Sequence, residues 1–359
     1  MSIYFATNRQ RVSVGQAGRF RFGERFSEDG PEDLVFGKIP NDMSPEALTT
    51  ECIYDTLARK EALFQEIKQA MQYENHDTII YVHGFRNNFA DAVEGARKLQ
   101  KALLPVEGSK NAAKGYHVVL FSWPADRLGA MESQKNYTND RLDARLSGPA
   151  LGRATQFMID FLVQVMEHSR QSFRATGRGD LCGQKLHLIC HSMGNYVLTH
   201  ALQKLLNDVK TPQSIPSVFE EVVLVAADED SEALEQDDRL KHLDRLARRV
   251  TVYYNPNDKA LRVSHLTKGN PERLGAGGPR NMQRVSGKVV AVNVDARVDW
   301  REDMLLDLDM ISTCPEHGYH LYNTAVIWDM RQVLAGITAA SIQGREPQPF
   351  LGQGSFKLV

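Results

Sequence analysis

Cysteine is scarce in this chain of 359 residues, and its four copies, Cys52, Cys182, Cys190 and Cys314, fall at no repeated short spacing. That excludes a disulfide framework and a cysteine-built metal site, and it makes a reducing cytoplasm the expected home. Charge of one sign is also missing: 43 basic side chains against 45 acidic ones leave a formal net charge of −2. No field-driven nucleic-acid or membrane partner is implied. No apolar run approaches the roughly 18 residues of a membrane span, and the segment Met1–Arg9 lacks a basic start followed by an apolar core, so neither stable membrane insertion nor a removed signal peptide is expected. Internal repeats, low-complexity tracts and Pro/Gly/Ser-rich linkers are absent as well. Residues 1–359 therefore read as a single domain, with 1–50 as an N-terminal extension carrying edge strands.

What is present is alternation. β-rich apolar runs near 3–7, 34–39, 78–83, 117–122, 185–190, 221–227, 249–254 and 287–294 are separated by amphipathic segments near 55–73, 89–104, 143–174, 192–208, 232–246 and 323–335. This pattern predicts an α/β fold, a mostly parallel central sheet of about eight strands with helices on both faces. In the 143–174 helix, Phe157, Met158, Phe161, Leu162, Val165 and Met166 form one core-facing stripe. Two irregular stretches are expected to flank a pocket: 124–142, which holds Asn136, Tyr137, Asn139 and Asp140, and the Gly-rich 265–286, read as a mobile surface loop.

The chemistry concentrates at Leu186-His187-Leu188-Ile189-Cys190-His191-Ser192-Met193-Gly194, a strand running into a serine between small residues and then into a helix. A nucleophile elbow needs small residues two before and two after its serine, because strand and helix approach closely there. Cys190 and Gly194 occupy those places. Val197, Leu198, Ala201, Leu202 and Leu205 repeat at helical spacing, so Ser192 sits at a helix N-terminus, where backbone N–H groups favour a developing oxyanion. A serine that only caps the helix is the competing reading.

A serine hydroxyl needs an imidazole to take its proton and an acid to orient that imidazole. Asp258, just past the strand Val250–Tyr254, is the favoured acid, although it also suits an N-cap for Lys259-Ala260-Leu261; Asp228, after the preceding strand, is the reserve. Pro315-Glu316-His317-Gly318-Tyr319-His320 offers two histidines, of which His317, beside a glycine turn, is preferred to His320. The order serine, acid, histidine is that of the α/β-hydrolases. For the oxyanion, the backbone N–H groups of Met193 and of Phe85 are the candidates, the latter in Tyr81-Val82-His83-Gly84-Phe85-Arg86-Asn87-Asn88. His83 is expected to brace that loop. A nicotinamide-binding reading fails, because this turn carries no G-x-G-x-x-G.

With these residues placed, the chain resembles a bacterial α/β-hydrolase family of unknown function, a group of serine esterases without an established substrate. The likeness runs through Phe5-Ala6-Thr7-Asn8-Arg9, Tyr81–Phe85, Phe121-Ser122-Trp123-Pro124, Tyr137 and Asp140, His191–Asn195, Asn257–Leu261, Arg273-Leu274-Gly275 and His317-Gly318-Tyr319. Cys190 and Gly318 depart from the family pattern. The resemblance implies the hydrolase fold with Ser192, Asp258 and His317 as triad. The expectation is then a carboxylic ester hydrolase working through an acyl-enzyme, with a small-molecule acyl ester as partner and no metal or cofactor. Lipase, thioesterase and amidase activity remain open on the same residues, as does a non-catalytic binding module.

Overall fold

A computed structural model describes residues 2–15, 18–104, 115–125, 133–176, 183–261, 271–298 and 316–359. Cys182, Cys314, Pro315 and the stretches 126–132 and 265–270 lie outside the described residues, as do the side chains of Asn136, Val165, Met166 and His168. In chain order the N-terminal elements are β1 (Ile3–Thr7), β2 (Arg9–Ser13), β3 (Arg19–Phe26), β4 (Val35–Ile39), β5 (Leu48–Thr49), β6 (Ile53–Tyr54) and α1 (Leu57–Glu74). Next come β7 (Asp77–Val82), α2 (Phe89–Ala102), β8 (Tyr116–Ser122), α3 (Ser133–Thr176), β9 (Leu186–His191), α4 (Gly194–Asp208) and β10 (Phe219–Val225). The remainder comprises α5 (Leu243–Leu246), β11 (Ala247–Tyr254), α6 (Leu274–Gly277), β12 (Val289–Asn293), α7 (Thr324–Leu334), β13 (Arg345–Pro347) and β14 (Ser355–Leu358).

Eleven of these strands form one sheet in the order β13-β14-β12-β11-β10-β9-β7-β8-β1-β4-β6. From β14 to β1 every neighbouring pair is parallel, while β4, β6 and β13 add antiparallel strands outside that block. The sheet thus exceeds the eight strands expected. Within 1–50, β1 and β4 are interior strands of this sheet, whose edge on that side is β6, while β2 and β5 are the edges of a second, smaller sheet. All five residues of β1 are buried, as a strand covered on both faces requires. A separate three-stranded sheet, β2-β3-β5, was not legible in the pattern.

Alternation along the strands sorts the core into two layers. Ile80, Val82, Leu188, Cys190, Val222 and Val252 face α1, α3 and α4. Ile79, Tyr81, Ile189, Val223, Val225 and Tyr253 face α2 and α7. The connection from β7 leads through α2 to β8 on one side of β7, whereas β9 lies on its other side and leads through α4 to β10. Loops leaving β7 and β9 therefore diverge and open a crevice at the carboxyl ends of the strands, where open parallel sheets bind ligands.

Three expectations for segments near this crevice need correction. Residues 133–142 are the first turns of α3, not part of an irregular loop. Tyr137, Asp140, Ala144, Ser147 and Leu151 are buried at three- and four-residue steps, a stripe in which Tyr137, Ala144 and Leu151 join the core while Asp140 and Ser147 interrupt its apolar pattern. The expected helix over 232–246 is a run of turns with only Leu243–Leu246 helical; Asp237 and Asp238 are poor helix formers in its middle. In the Gly-rich stretch, the surface-loop expectation fails for its first described part, where Arg273 and Leu274 are buried and α6 packs beside β11, whereas Arg280, Gln283 and Arg284 are exposed on a bend and a turn.

Candidate active site

Ser192 follows β9 with φ of 52°, left-handed backbone that a non-glycine residue adopts only when its surroundings impose it. They do so here through hydrogen bonds. The Ser192 N–H donates to the Val225 carbonyl at 3.0 Å, and the Ser192 carbonyl accepts from the N–H groups of Asp228 at 3.1 Å and Asn195 at 3.1 Å. The Asn195 side-chain amide reaches the same carbonyl at 3.0 Å and that of Cys190 at 3.1 Å. Gly194 is needed at the start of α4, since a methyl there would stand 2.7 Å from the carbonyl oxygens of Val82 and His83. Helix and strand touch, as the elbow pattern predicts. Cys190 lies fully buried, and burial raises its thiol far above the ordinary range, so it offers no thiolate.

His317 and Asp258 converge on the serine. The Ser192 hydroxyl lies 2.8 Å from His317 Nε2, and His317 Nδ1 lies 2.6 Å from Asp258 Oδ2. With the Nδ1–H tautomer, the imidazole donates to the carboxylate and accepts from the hydroxyl. Asp258 is completely buried, and its other oxygen accepts the Leu261 N–H at 3.0 Å. One carboxylate thus contacts the imidazole and caps the turn at 259–261 at once. Asn255 joins this turn to the histidine loop by donating to the Glu316 carbonyl at 3.1 Å. Burial opposes charge on His317, but Asp258, with smaller help from Asp228 and Glu316, outweighs it and raises the imidazole pKa above its ordinary value.

His320 stands elsewhere. It is fully buried, meets the Tyr81 hydroxyl at 3.3 Å, and packs on the His191 ring at 4.4 Å. Burial and then the neighbouring His317 push it down to about 3, so it is neutral. His191 is held neutral in the same way, and its Nε2–H donates to the His317 carbonyl at 3.1 Å. This brace was missed, because nothing in the spacing of His191 distinguishes it from the strand.

The loop after β7 packs directly on the serine: a methyl at Gly84 would stand 2.8 Å from Ser192 Cβ. Among the described residues, the Phe85 and Met193 backbone N–H groups have no acceptor. His83 donates from Nδ1 to the Gly84 carbonyl at 2.9 Å and accepts the Trp123 N–H at Nε2 at 3.2 Å. Its ring stacks on Trp123, and burial followed by the Arg9 charge lowers it to about 3. Arg9, itself buried, donates to the Asn87 carbonyl at 2.7 Å and to Ser122 Oγ at 2.9 Å. The loop after β7 is thus tied to β2 and β8.

Asp228 does not approach His317 as a hydrogen-bond partner. Its carboxylate accepts from the Tyr137 hydroxyl at 2.8 Å and lies 3.2 Å from Arg273 Nε. Arg273 also pairs with Asp230 at 2.5 Å, and Arg141 stacks over the Tyr196 ring at 3.8 Å, donates to the Asp228 backbone carbonyl at 3.5 Å and reaches its carboxylate only at 4.0 Å. Helical register from Tyr137 to Arg141 was the available signal for this cluster.

A family model described as "Alpha/beta hydrolase of unknown function (DUF900)" matches residues 59–176 and 178–313, well over half of the chain. The chain belongs to that family. Its fold class is accordingly α/β-hydrolase, with the large, mostly parallel sheet described above. No curated protein matches the sequence. Within this alpha/beta hydrolase, no helix among the described residues is long and apolar enough to cross a membrane.

Proposed function

We propose that this alpha/beta hydrolase is a serine hydrolase that cleaves carboxylic esters through an acyl-enzyme on Ser192. The observation that carries the reading is the pair of linked contacts, 2.8 Å from Ser192 Oγ to His317 Nε2 and 2.6 Å from His317 Nδ1 to Asp258. They match the geometry that makes a hydroxyl nucleophilic at neutral pH. Ser192 Oγ attacks the ester carbonyl as its proton passes to His317 Nε2. The resulting oxyanion is held by the Phe85 and Met193 N–H groups. Collapse breaks the bond to the alcohol, which leaves with the proton from His317. Water, deprotonated by the same nitrogen, then attacks the acyl-enzyme, and the second collapse returns the proton to Ser192. Asp258 fixes the tautomer and favours the imidazolium without taking the proton.

A series of p-nitrophenyl esters from acetate to palmitate, with Ser192→Ala as control, tests the reaction and reads the acyl preference. Turnover and fluorophosphonate labelling should both depend on Ser192. An unlabelled, inactive wild type would instead identify a binding module built on the hydrolase fold. A short-chain preference indicates a confined acyl pocket; rates rising with chain length move the assignment to lipase.

A further inference from the structure

At the opposite end of the sheet, three side chains outside the proposed hydrolytic machinery come together: Glu74, His76 and His117, with one ligand atom from each within 4.8 Å of the other two. α1 stops there because Asn75 takes a left-handed φ of 54°, and the N–H groups of Asn75 and His76 both return to the Met71 carbonyl. That turn sets Glu74 and His76 on either side of it. β8 brings His117 alongside, since Thr78 of β7 pairs with it in register.

The nitrogens are available. Among the described residues, the buried His76 Nδ1 and His117 Nε2 have no hydrogen-bond partner, although Glu74 Oε2 lies 3.0 Å from the first and 3.6 Å from the second. These are close approaches without hydrogen-bond alignment. The His117 side chain is only 5% exposed. Its Nε2 is the ring nitrogen turned toward Glu74, the place a metal-ligating imidazole nitrogen would take. A buried ring nitrogen without a partner is costly, and a cation shared by the three atoms removes that cost.

The geometry points to a divalent metal site, with zinc the ion that two imidazoles and one carboxylate suit best. Tetrahedral coordination with bonds of about 2.0–2.1 Å sets ligand atoms about 3.3–3.5 Å apart, and the two measured edges of 3.0 and 3.6 Å bracket that spacing. Water completes the fourth position. β7 separates this cluster from Ser192 by its full length, six residues or about 20 Å. The ion is therefore a staple between the end of α1 and the start of β8, with no part in the reaction at Ser192.

Calorimetric titration of the chelator-treated, full-length protein with zinc should give one site per chain and a zinc-dependent rise in Tm. Cobalt(II) at the same site should show the visible absorption of tetrahedral coordination. Glu74→Gln, His76→Gln and His117→Gln should each weaken binding by at least about tenfold and abolish the cobalt spectrum. Because His117 is buried, the double variant Glu74→Gln/His76→Gln, altered at the more exposed positions, is the decisive comparison. Wild-type binding no tighter than in this double variant, including no binding at all, overturns the site. Binding that survives His117→Gln in a folded protein overturns the three-ligand assignment.

Discussion

Asp258 and Asp228 follow adjacent parallel strands, β11 and β10, and both are buried beside the same serine. Their partners differ completely. Asp258 faces one imidazole and one backbone N–H, and its charge raises the pKa of that imidazole. Asp228 faces a phenol and a guanidinium, which tie it to α3 and to the buried Arg273. The comparison teaches that position at a strand end supplies the carboxylate, while the partner decides whether it acts on a proton or on the fold.

The sharpest way to break this comparison is Asp258→Asn. It should leave the protein folded and reduce ester turnover by about 10⁴-fold, as loss of the correct tautomer does in a serine triad; steady-state kinetics with a circular-dichroism control will show it. Near-normal turnover would move the acid role to Asp228. Asp228→Ala should act on stability instead, since Arg273 keeps its buried charge and loses one of two acidic partners. A cost of about 3–5 kcal/mol in urea unfolding is expected, the range for breaking a buried ion pair by removing one side.

The third effect is on pH. His317 must be neutral to accept the serine proton, and its pKa is raised, so kcat/KM should fall on the acid side with an apparent pKa above that of an ordinary histidine. Removing the Asp258 charge leaves burial, which opposes protonation. The NMR titration of His317 in Asp258→Asn should therefore move to lower pH than in wild type. An unmoved titration would show that Asp258 does not hold the imidazole. Smallest is Tyr137→Phe, which removes one hydrogen bond to Asp228 and should cost about 1 kcal/mol in the same unfolding measurement.

Much of this was legible in the sequence for a physical reason. Strands of the parallel block are buried on both faces and read as short apolar runs, and the elbow has a steric requirement that Cys190 and Gly194 announce directly. Ser192, Asp258 and His317 were each chosen from local chain chemistry, and the structure brings those three together. What was illegible depends on contacts distant in sequence. The first turns of α3 looked irregular because Tyr137 and Asp140 turn polar groups inward. Arg273 looked like part of a loop because its partners, Asp228 and Asp230, lie more than forty residues earlier. The strands β2, β3, β5 and β6 are short or charged, so their pairing follows from neighbours rather than from period.

The backbone bonds of Ser192 carry one more consequence. Its N–H and carbonyl are both engaged by the next strand and by Asn195, and Gly84 crowds one side of its Cβ. The residue is left with a single moving part, rotation about Cα–Cβ. In the reaction proposed above, attack, acyl transfer and release would be reached by swinging one short arm through an arc, with the pivot supplied by the sheet. A nucleophile so mounted has little conformational search left to complete before it meets a bound carbonyl, and a branched replacement such as Ser192→Thr, with an added methyl on that crowded carbon, would jam the pivot.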